Sequence, residues 1–442
     1  MTRKNIFIPY TIILLLLSIT GYGQANKWEL VTLDSYKNKN IKYADFTYDP
    51  NVRTVQLYAV GGDQLNKQLN LPFVFLNKRT PLVLEFDVFG DDADYYEAEI
   101  VHCNRDWTPS ELQPIEFMRD YNSFKLNEFD FSMSTKVPYV HFIFQLPQVK
   151  MSGNYVLKVY KEGDKNDLII TRRFLVAETT AAIVGEVVDR NGSERRYKQQ
   201  IDFKVNYGDL TVVNAMRDFS VAILQNGRWD NSIENLKPRF IRGHEHILDY
   251  SYGNGENTFW GLNEFRVFET SSLNGGGATV SSVDVMKNFN KVRLHEDLIR
   301  NGKAFNQQRV DYNGNYLIYA SGKRDHWLEA DYMEVIFSLK AETPFPGDVY
   351  VYGGFSEWQL NEEYKMVYDD KARKYFGSAL LKQGRYDYMY TVLDTKNRER
   401  DNITAEGSFN LTRNIYDIIV YYRGPGDRGD RIVAYKKLNT KR

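Results

Sequence analysis

Two histidines separated by a single residue, His244 and His246, form the pair in this sequence that is best spaced for metal chemistry. On a β-strand both imidazoles would point to the same face, where they could bind a zinc ion together. A zinc site needs at least one more protein ligand, and the nearest carboxylate, Asp249, has the opposite strand parity. The pair therefore predicts either a metal site whose third ligand is not identified or two histidines at a solvent-facing turn.

A second candidate for metal binding is the acidic loop that contains Asp91, Asp92 and Asp94. Together with Glu97, these carboxylates could begin the shell of about six to eight oxygens that calcium prefers. They lack the regular spacing of a calcium-binding loop, so an acidic hairpin loop is the alternative interpretation. The sequence leaves both interpretations open and assigns no metal ligand.

The single cysteine, Cys103, follows His102 in a strand-like segment. A nucleophilic cysteine needs a neighbouring positive charge that lowers its pKa, and no lysine lies near Cys103 in the sequence. We therefore expect a small buried core residue rather than a nucleophile. One cysteine also excludes an intrachain disulfide, so the stability of the chain must come from its hydrophobic cores.

Common catalytic and cofactor-binding motifs are absent from the sequence. It has no Gly-x-Ser-x-Gly elbow, no phosphate-binding loop and no dinucleotide fingerprint. Carboxylates are plentiful, but no pair can be nominated for glycoside hydrolysis. Arg428-Gly-Asp430 spells an adhesion tripeptide, which we interpret as part of a turn. We therefore nominate no catalytic, cofactor-binding or metal-binding residue, and we expect a protein that uses no cofactor and is not an enzyme.

The composition favours protein contacts over nucleic-acid binding. The 442 residues carry a formal net charge of −1, whereas nucleic-acid binding requires a basic face. The 32 tyrosines outnumber the 26 phenylalanines. Tyrosine suits half-buried strands and protein–protein contact surfaces, because one end of the side chain is apolar and the other is polar.

The first 23 residues have the pattern of a cleavable signal peptide. Arg3 and Lys4 give a positive start, and an apolar run extends from Ile6 to Ile19. Gly21-Tyr-Gly23 supplies small residues at a cleavage site, and the apolar run is too short to span a membrane comfortably. We expect export and a soluble mature chain that begins near Gln24, with no lipid-anchoring cysteine and no membrane-spanning segment.

Strands must position all of these residues, because convincing long helices are absent from the pattern. In the stretch Tyr95–Ser110, an alternating strand runs into a turn, and Trp107 is expected to pack beneath that turn. The strand-like segment Leu82–Gly90 alternates apolar residues with Glu85 and Asp87, which predicts that both acids lie on its outer face.

The spacing of strand-like runs and of Gly- and Asn-containing turns is typical of β-sandwiches. We predict an all-β protein built from tandem Ig-like, early-set-type β-sandwich domains. The predicted divisions are a signal peptide at 1–23, an N-terminal sandwich at 24–178, a middle sandwich at 179–330 and a C-terminal early-set Ig-like domain at 331–442.

The predicted C-terminal domain resembles the early-set Ig-like domains that accompany glucan-active proteins. The resemblance rests on Val349–Trp358 and on Gly384–Tyr390, in which three tyrosines share one strand face. Some members of that group bind sugar through aromatic platforms. The segment after Asp394 lacks the aromatic residue that such binders present. Trp358 is therefore expected to be a core or corner residue, and a carbohydrate-binding or glycan-processing accessory role is the alternative function.

Several stretches, taken in order along the chain, resemble the type IX secretion system plug protein family. The resemblance runs from about Val52 to the C-terminus and is carried by Val101–Ser110, Ser152–Leu157, Gln225–Asn231, Trp260–Arg266, and Asn313–Tyr316 with Glu329–Tyr332. Members of this family are periplasmic proteins of Gram-negative cells that close the periplasmic mouth of the outer-membrane translocon barrel. The resemblance implies a non-enzymatic plug whose partner is that barrel, located in the periplasm in association with the outer membrane.

The family resemblance supplies neither an active site nor a partner-binding residue. Arg228, Trp229 and Trp260 are of residue types that often anchor interfaces. We expect buried structural roles for them, and the contacting loops are not identified from the sequence.

Overall fold

The computed structural model describes residues 30–61, 64–189, 194–273, 277–303 and 311–440. The predicted signal peptide at 1–23 lies outside these residues. In the described ranges the chain is nearly all β, with only short helical turns, which confirms the prediction of an all-β fold built from tandem β-sandwiches. Within the described parts of the chain, no helix has the length and apolar character that crossing a membrane requires.

The strands are short, and the longest described ones have ten residues. In the first half of the chain they are β1 Leu30–Val31, β2 Phe46–Thr47, β3 Val52–Ala59, β4 Phe73–Phe75, β5 Leu82–Phe89, β6 Tyr96–Cys103, β7 Phe124–Lys125, β8 Glu128–Phe131, β9 Tyr139–Gln145, β10 Gly153–Lys161, β11 Leu168–Ala177, β12 Ala182–Asp189, β13 Lys198–Asn206, β14 Phe219–Gln225 and β15 Arg228–Leu236. In the second half they are β16 Phe240–Arg242, β17 Ile247–Asp249, β18 Thr258–Trp260, β19 Arg266–Glu269, β20 Val280–Val285, β21 Asn290–Leu294, β22 Asp297–Leu298, β23 Tyr316–Ile318, β24 Tyr332–Lys340, β25 Asp348–Tyr352, β26 Leu360–Asn361, β27 Lys365–Asp369, β28 Lys374–Lys382, β29 Gly384–Leu393, β30 Arg400–Asp401, β31 Ile415–Tyr422 and β32 Arg431–Asn439.

The described helices are single turns that connect strands. They are α1 Pro114–Phe117, α2 Ala215–Asp218 and α3 His326–Glu329, with 3-10 turns at Leu33–Lys37, Gln64–Leu69, Gly243–Glu245, Gly354–Ser356 and Glu362–Tyr364. The Asp325 carboxylate caps α3, because it accepts hydrogen bonds from the backbone N–H groups of Trp327 at 2.9 Å and Leu328 at 3.1 Å. This cap holds Trp327 against the strands described below.

The first sandwich packs the four-stranded sheet β3-β5-β9-β8 against strands β6, β10 and β11. Strands β5 and β9 pair in antiparallel register, so that Phe86 lies opposite Phe142 and both rings are buried in the core. Tyr155 and Leu157 of β10 fill the same core from the other layer. Their spacing of two residues reflects the alternation of side chains along a strand.

The second sandwich shares a sheet with the first. Strands β6, β10 and β11 belong to a ten-stranded sheet in the order β15-β14-β31-β32-β11-β10-β6-β7, with β2 and β4 also paired to β11. Strands β14, β31 and β32 of this sheet share a second core with the five-stranded sheet β12-β13-β17-β16, to which β18 is added. The two halves join where β11 and β32 pair in parallel at Ala177 and Ile432.

The third sandwich is formed by an eleven-stranded sheet that closes around one core. Its order is β19-β29-β25-β27-β28-β24-β21-β20, with β22, β23 and β30 at the margins. Phe268 of β19 and Val292 of β21 lie near opposite ends of this order and belong to the same buried cluster. Tyr386, Tyr388 and Tyr390 of β29 also lie in it, on the shared strand face that their spacing predicts.

Some strands pair with strands on the other side of a predicted domain boundary. The boundaries themselves remain a prediction. Strands β31 and β32 pair with β14 and β11, so the last two strands complete the second sandwich and its junction with the first. Strands β19 and β21 pair with β29 and β24, so residues from before the predicted boundary at 330/331 belong to the third sandwich. In sequence, the third sandwich therefore lies between strands of the second.

The expectation that Glu85 and Asp87 lie on a solvent-facing side of their strand is wrong. Both side chains are buried. Strand β5 has the core of the first sandwich on one face, and on its other face Asp87 contacts Lys382 of the third sandwich. An alternating pattern therefore marks two buried faces here, one apolar and one charged.

Candidate functional site at the junction of the sandwiches

His244 and His246 do not share a strand, so the geometry assumed for a metal-binding pair is wrong. His244 lies in the 3-10 turn Gly243–Glu245, and His246 ends that turn in the left-handed conformation with φ 56°. The His246 ring stacks on Tyr207 with centroids 5.2 Å apart. Asp249 forms ion pairs with two basic side chains, at 3.7 and 3.8 Å.

The acidic loop between β5 and β6 faces solvent. Asp91 and Asp92 are exposed, and Asp94 accepts a hydrogen bond from the Tyr96 hydroxyl at 3.4 Å. The Asp94 carboxylate also lies 3.4 Å from the Lys161 ammonium group. In the described ranges, no group of three or more His, Cys, Asp or Glu side chains is arranged to hold a metal ion.

Cys103 lies at the end of β6 and is fully buried. Burial raises the pKa of its thiol to about 12, so the thiol stays protonated at neutral pH. Its Sγ atom lies 3.8 Å from the carbonyl oxygen of Val101. Cys103 is therefore placed as a core residue of the ten-stranded sheet.

We expect Cys103 in the folded protein to resist an aromatic disulfide reagent at mildly alkaline pH. The reagent reacts with a thiolate, and both the raised pKa and the burial of Cys103 oppose that reaction. After unfolding in guanidinium, the same thiol should react rapidly. The absorbance of the released aromatic thiolate measures both rates, and equal rates would contradict the placement of Cys103 in the core.

The sequence motifs meet where the sandwiches contact one another. Trp107, in the turn after β6, lies edge-on to Trp229 of β15, with ring centroids 4.9 Å apart. The guanidinium group of Arg173 in β11 lies 4.3 Å from the Trp107 centroid and 5.6 Å from the Trp229 centroid. These contacts combine apolar burial with cation–π attraction. Trp107 therefore connects the two halves of the ten-stranded sheet.

A buried cluster of charges, centred on Asp230 of β15, joins the second sandwich to the third. Arg228 of β15 binds both carboxylate oxygens of Asp230, at 3.0 and 2.6 Å. Arg400 of β30 approaches the same carboxylate at 2.6 Å, and the Tyr352 hydroxyl donates to it at 3.1 Å. Burial alone would raise the pKa of Asp230, but the two guanidinium groups dominate and lower it to about 2.

Trp358 covers this ion pair from the side of the third sandwich. Its ring centroid lies 4.0 Å from the Arg228 guanidinium carbon, and its ring packs edge-on against Tyr352. Gly314 has φ 86°, and a Cβ atom at that position would lie 2.3 Å from the Trp358 ring. Only glycine fits at this position, which explains why the turn at Asn313 and Gly314 contains a glycine. Trp358 is thus half-buried at a corner of the third sandwich, as expected for a corner residue.

A second buried ion pair joins the first sandwich to the third. The Lys382 ammonium group of β28 lies 2.6 Å from Asp87 Oδ2, and the Tyr332 hydroxyl donates to the same oxygen at 2.6 Å. His141 Nδ1 lies 2.8 Å from Asp87 Oδ1, and the His141 ring stacks on Trp327. Burial opposes the charge of Asp87, but Lys382 and His141 outweigh it and lower its pKa. Burial lowers the pKa of Lys382.

Two further pairs cross the same contact nearer to solvent. Arg172 of β11 is paired with Glu357, which also accepts a hydrogen bond from the Thr47 hydroxyl at 2.6 Å. Arg53 of β3 lies 2.6 Å from Glu363. The first sandwich is therefore joined to the third by charged contacts along several strands.

A cavity of about 340 Å³ lies where the three sandwiches meet. Charged and amide side chains from all three line it, among them Asp45, Gln56, Arg172, Arg173, Asn313 and Asp417. Burial raises the pKa of Asp45 and of Asp417. The described lining contains no serine, threonine, cysteine or histidine.

The three residues of interface-forming type lie in different environments. Arg228 is fully buried, Trp229 is half-buried, and Trp260 is 40% exposed. The junction depends on residues that sequence reasoning did not nominate, namely Asp87, Lys382 and Arg400. Charged residues within otherwise apolar strands such as β5 and β28 were the available signal, because a buried charge requires a partner.

Three comparisons relate the chain to other proteins. Residues 52–178 match the sequence profile named "Type 9 secretion system plug protein 1st domain". A hypothetical protein from Parabacteroides merdae, known from a crystal structure, is 29% identical with a TM-score of 0.84, over 91% of this chain and 100% of that chain. Collagen adhesin from S. aureus is 6% identical with a TM-score of 0.11, over 88% of this chain and 92% of that chain, and supports no argument. No curated protein matches.

The profile match covers the Tyr95–Ser110 stretch and the strands of the first sandwich. The Parabacteroides structure extends the similarity of fold to nearly the whole chain, and its description adds no function. The resemblance inferred from the sequence is thereby confirmed. Residues 52–178 of this chain are therefore similar to the first domain of type 9 secretion system plug proteins.

Proposed function

We propose that this protein is a non-enzymatic plug that docks on the periplasmic side of the type IX secretion translocon, an outer-membrane barrel, and seals it. The observation that carries the proposal is the match of residues 52–178 to the plug protein first domain. The signal-peptide pattern in the first 23 residues supports export to the periplasm, where the open end of such a barrel would be accessible.

The junction of the sandwiches supports a sealing role on physical grounds. A stopper for a wide barrel must keep its shape, because a gap between its parts would leak. The Lys382–Asp87 and Arg228–Asp230–Arg400 contacts each join two sandwiches through buried, charge-assisted hydrogen bonds. Such contacts are directional, so they favour one fixed arrangement of the sandwiches.

Deletion of the gene tests the proposal in cells. We expect the deletion strain to admit a large antibiotic that the intact outer membrane excludes, because the unsealed barrel would provide an aqueous path. Growth inhibition measures the entry, and tagged protein should retain the barrel during purification. An unchanged permeability barrier together with purification free of the barrel would contradict the proposal.

Complementation supplies the matched control for localisation. The full chain should restore exclusion of the antibiotic, whereas a version lacking residues 1–23 should accumulate in the cytoplasm and fail to restore it. Immunoblots of periplasmic and cytoplasmic fractions measure where each version resides. Restoration by the version without residues 1–23 would argue against a periplasmic site of action.

A further inference from the structure

Two loops of the second sandwich carry exposed basic and apolar side chains. In the turn before β13, Arg195 and Arg196 are exposed, and Tyr197 is 47% exposed. In the segment before β31, Leu411 is 85% exposed. Single exposed apolar residues are common on protein surfaces, so the surroundings of Leu411 decide whether it has a role.

Hydrogen bonds join these loops and the end of β18 into one surface. The Asn410 N–H donates to the carbonyl oxygen of Arg196 at 2.9 Å, which places Leu411 beside the turn. The Gly261 N–H donates to the carbonyl oxygen of Tyr197 at 2.8 Å, which places Trp260 on the other side of the turn. The basic patch is the name used below for the surface formed by Arg195–Lys198, Trp260 and Leu411.

The basic patch is locally positive, although the whole chain has a formal net charge of −1. The neighbouring acid, Glu194, lies 2.8 Å from the Lys198 ammonium group and offsets that charge. Arg195 and Arg196 are exposed and have no ion-pair partner among the described residues. Their guanidinium groups are therefore available to an anionic partner.

The turn between β29 and β30, which lies across a groove from Trp260, does not reverse this charge. Glu399 of that turn is exposed and lines the groove together with Trp260. Two basic residues of the same turn, Lys396 and Arg398, are also exposed. The carboxylate of Asp394 accepts two backbone N–H hydrogen bonds, at 2.7 and 3.2 Å. Exposed basic groups therefore outnumber exposed acidic groups on both sides of the groove.

Aromatic rings lie next to the charges of the basic patch. The Lys198 ammonium group lies 4.3 Å from the centroid of the Trp260 ring, and Trp260 remains 40% exposed. Tryptophan and tyrosine are the residues that favour the boundary between water and lipid, and lysine and arginine favour anionic headgroups. Together with the projecting Leu411, the basic patch has the side chains that an interfacial membrane contact uses.

We propose that the basic patch binds the surface of a membrane that contains anionic phospholipids. Arg195 and Arg196 would contact lipid phosphate groups, Tyr197 and Trp260 would lie among the headgroups, and Leu411 would insert between acyl chains. A lipid surface supplies both the negative charge and the apolar layer, whereas an acidic protein would need an apolar pocket at the position that Leu411 reaches. The proposal does not depend on the plug function, because lipid binding requires no barrel.

Sedimentation of the chain from Gln24 onwards with lipid vesicles tests the proposal. We expect binding to vesicles that contain about a third phosphatidylglycerol, little binding to pure phosphatidylcholine, and release at high salt. Replacing Arg195 and Arg196 together by serine should weaken binding about tenfold or more, because each basic residue near an anionic surface adds roughly fivefold in affinity. Leu411→Ser should weaken it about fivefold or more, because it removes the inserted apolar side chain.

Matched variants separate the basic patch from general surface effects. Replacing Lys78 and Arg79 together by serine changes an adjacent exposed basic pair of the first sandwich, and Leu33→Ser changes a leucine that is 76% exposed. Both controls should bind like the wild type. Replacing Arg195 and Arg196 together by lysine keeps the charge and should keep most of the binding.

The pattern across these variants decides the proposal. Weaker binding by the serine variants of the basic patch, with the controls and the lysine variant close to the wild type, supports a lipid-binding surface. Failure of the wild type to bind the anionic vesicles overturns it, and so does equal binding to both kinds of vesicle. Loss of binding for the arginine-to-serine variant alone, with Leu411→Ser unchanged, would also overturn the membrane assignment and would indicate an acidic protein partner.

Discussion

Replacing Lys382 by methionine is expected to lower the free energy of unfolding by about 3–5 kcal/mol, because it leaves the Asp87 carboxylate buried without its cation. The two groups lie 2.6 Å apart and are fully buried between the first and third sandwiches. Tyr332 and His141 would still hydrogen-bond to Asp87, but they would not replace a full positive charge. Guanidinium denaturation followed by tryptophan fluorescence measures the loss.

Two further variants identify the cause of that loss. Lys365→Met removes the partner of Asp348, a pair with both side chains more than a third exposed, and should cost less than about 1 kcal/mol. Adding Asp87→Asn to Lys382→Met removes the buried negative charge and should recover much of the stability. Equal costs for Lys382→Met and Lys365→Met would contradict the importance of the buried pair.

Replacing Arg228 by methionine is expected to cost about 3 kcal/mol or more at neutral pH. The change removes a bidentate partner of Asp230 and the cation that Trp358 covers at 4.0 Å. Arg400 remains 2.6 Å from the same carboxylate and limits the loss. The melting temperature and the free energy of unfolding measure it, and Arg242→Met, at a partly exposed pair, is the control that should change little.

The effect of the Arg228 substitution should depend on pH. The folded protein lowers the pKa of Asp230 to about 2. Because the unfolded value is about 3.9, the ionised carboxylate contributes stability above about pH 4 and loses it as the pH falls towards 2. The variant keeps only one of the two cations, so the difference between it and the wild type should shrink in acid. A difference that is constant from neutral pH to strong acid would contradict this assignment.

Strands, turns and strand faces that depend on one short segment were predictable from the sequence. Alternation predicted the strand that ends at Cys103 and the shared face of the three tyrosines in β29. The turn containing Trp107 also follows its predicted strand. Each of these features depends on residues within one segment, where the spacing of side chains is set by the backbone.

The features that failed depend on distant contacts. Asp87 alternates like a solvent-facing acid, but Lys382, 295 positions along the chain, covers it. Strands β31 and β32 have the pattern of a C-terminal hairpin, and nothing in their own residues reveals that they pair with β14 and β11.

The contacts at the junction of the sandwiches were only partly predictable from the sequence. Its motifs, around Trp107, Arg228 and Trp358, are visible as dense polar–aromatic stretches in the sequence. Their convergence on one contact region required the structure, because each motif lies in a different part of the chain. The family profile covers only the first of these stretches, at residues 52–178.

The ion conductance of the purified translocon barrel in a planar lipid bilayer tests the proposed sealing function most directly. The open barrel should carry a large steady current, and the mature protein added to the periplasmic side should abolish most of it. The same addition to the opposite side should leave the current unchanged. A current that persists at saturating concentrations of the protein on the periplasmic side would contradict the proposal that this chain seals the barrel.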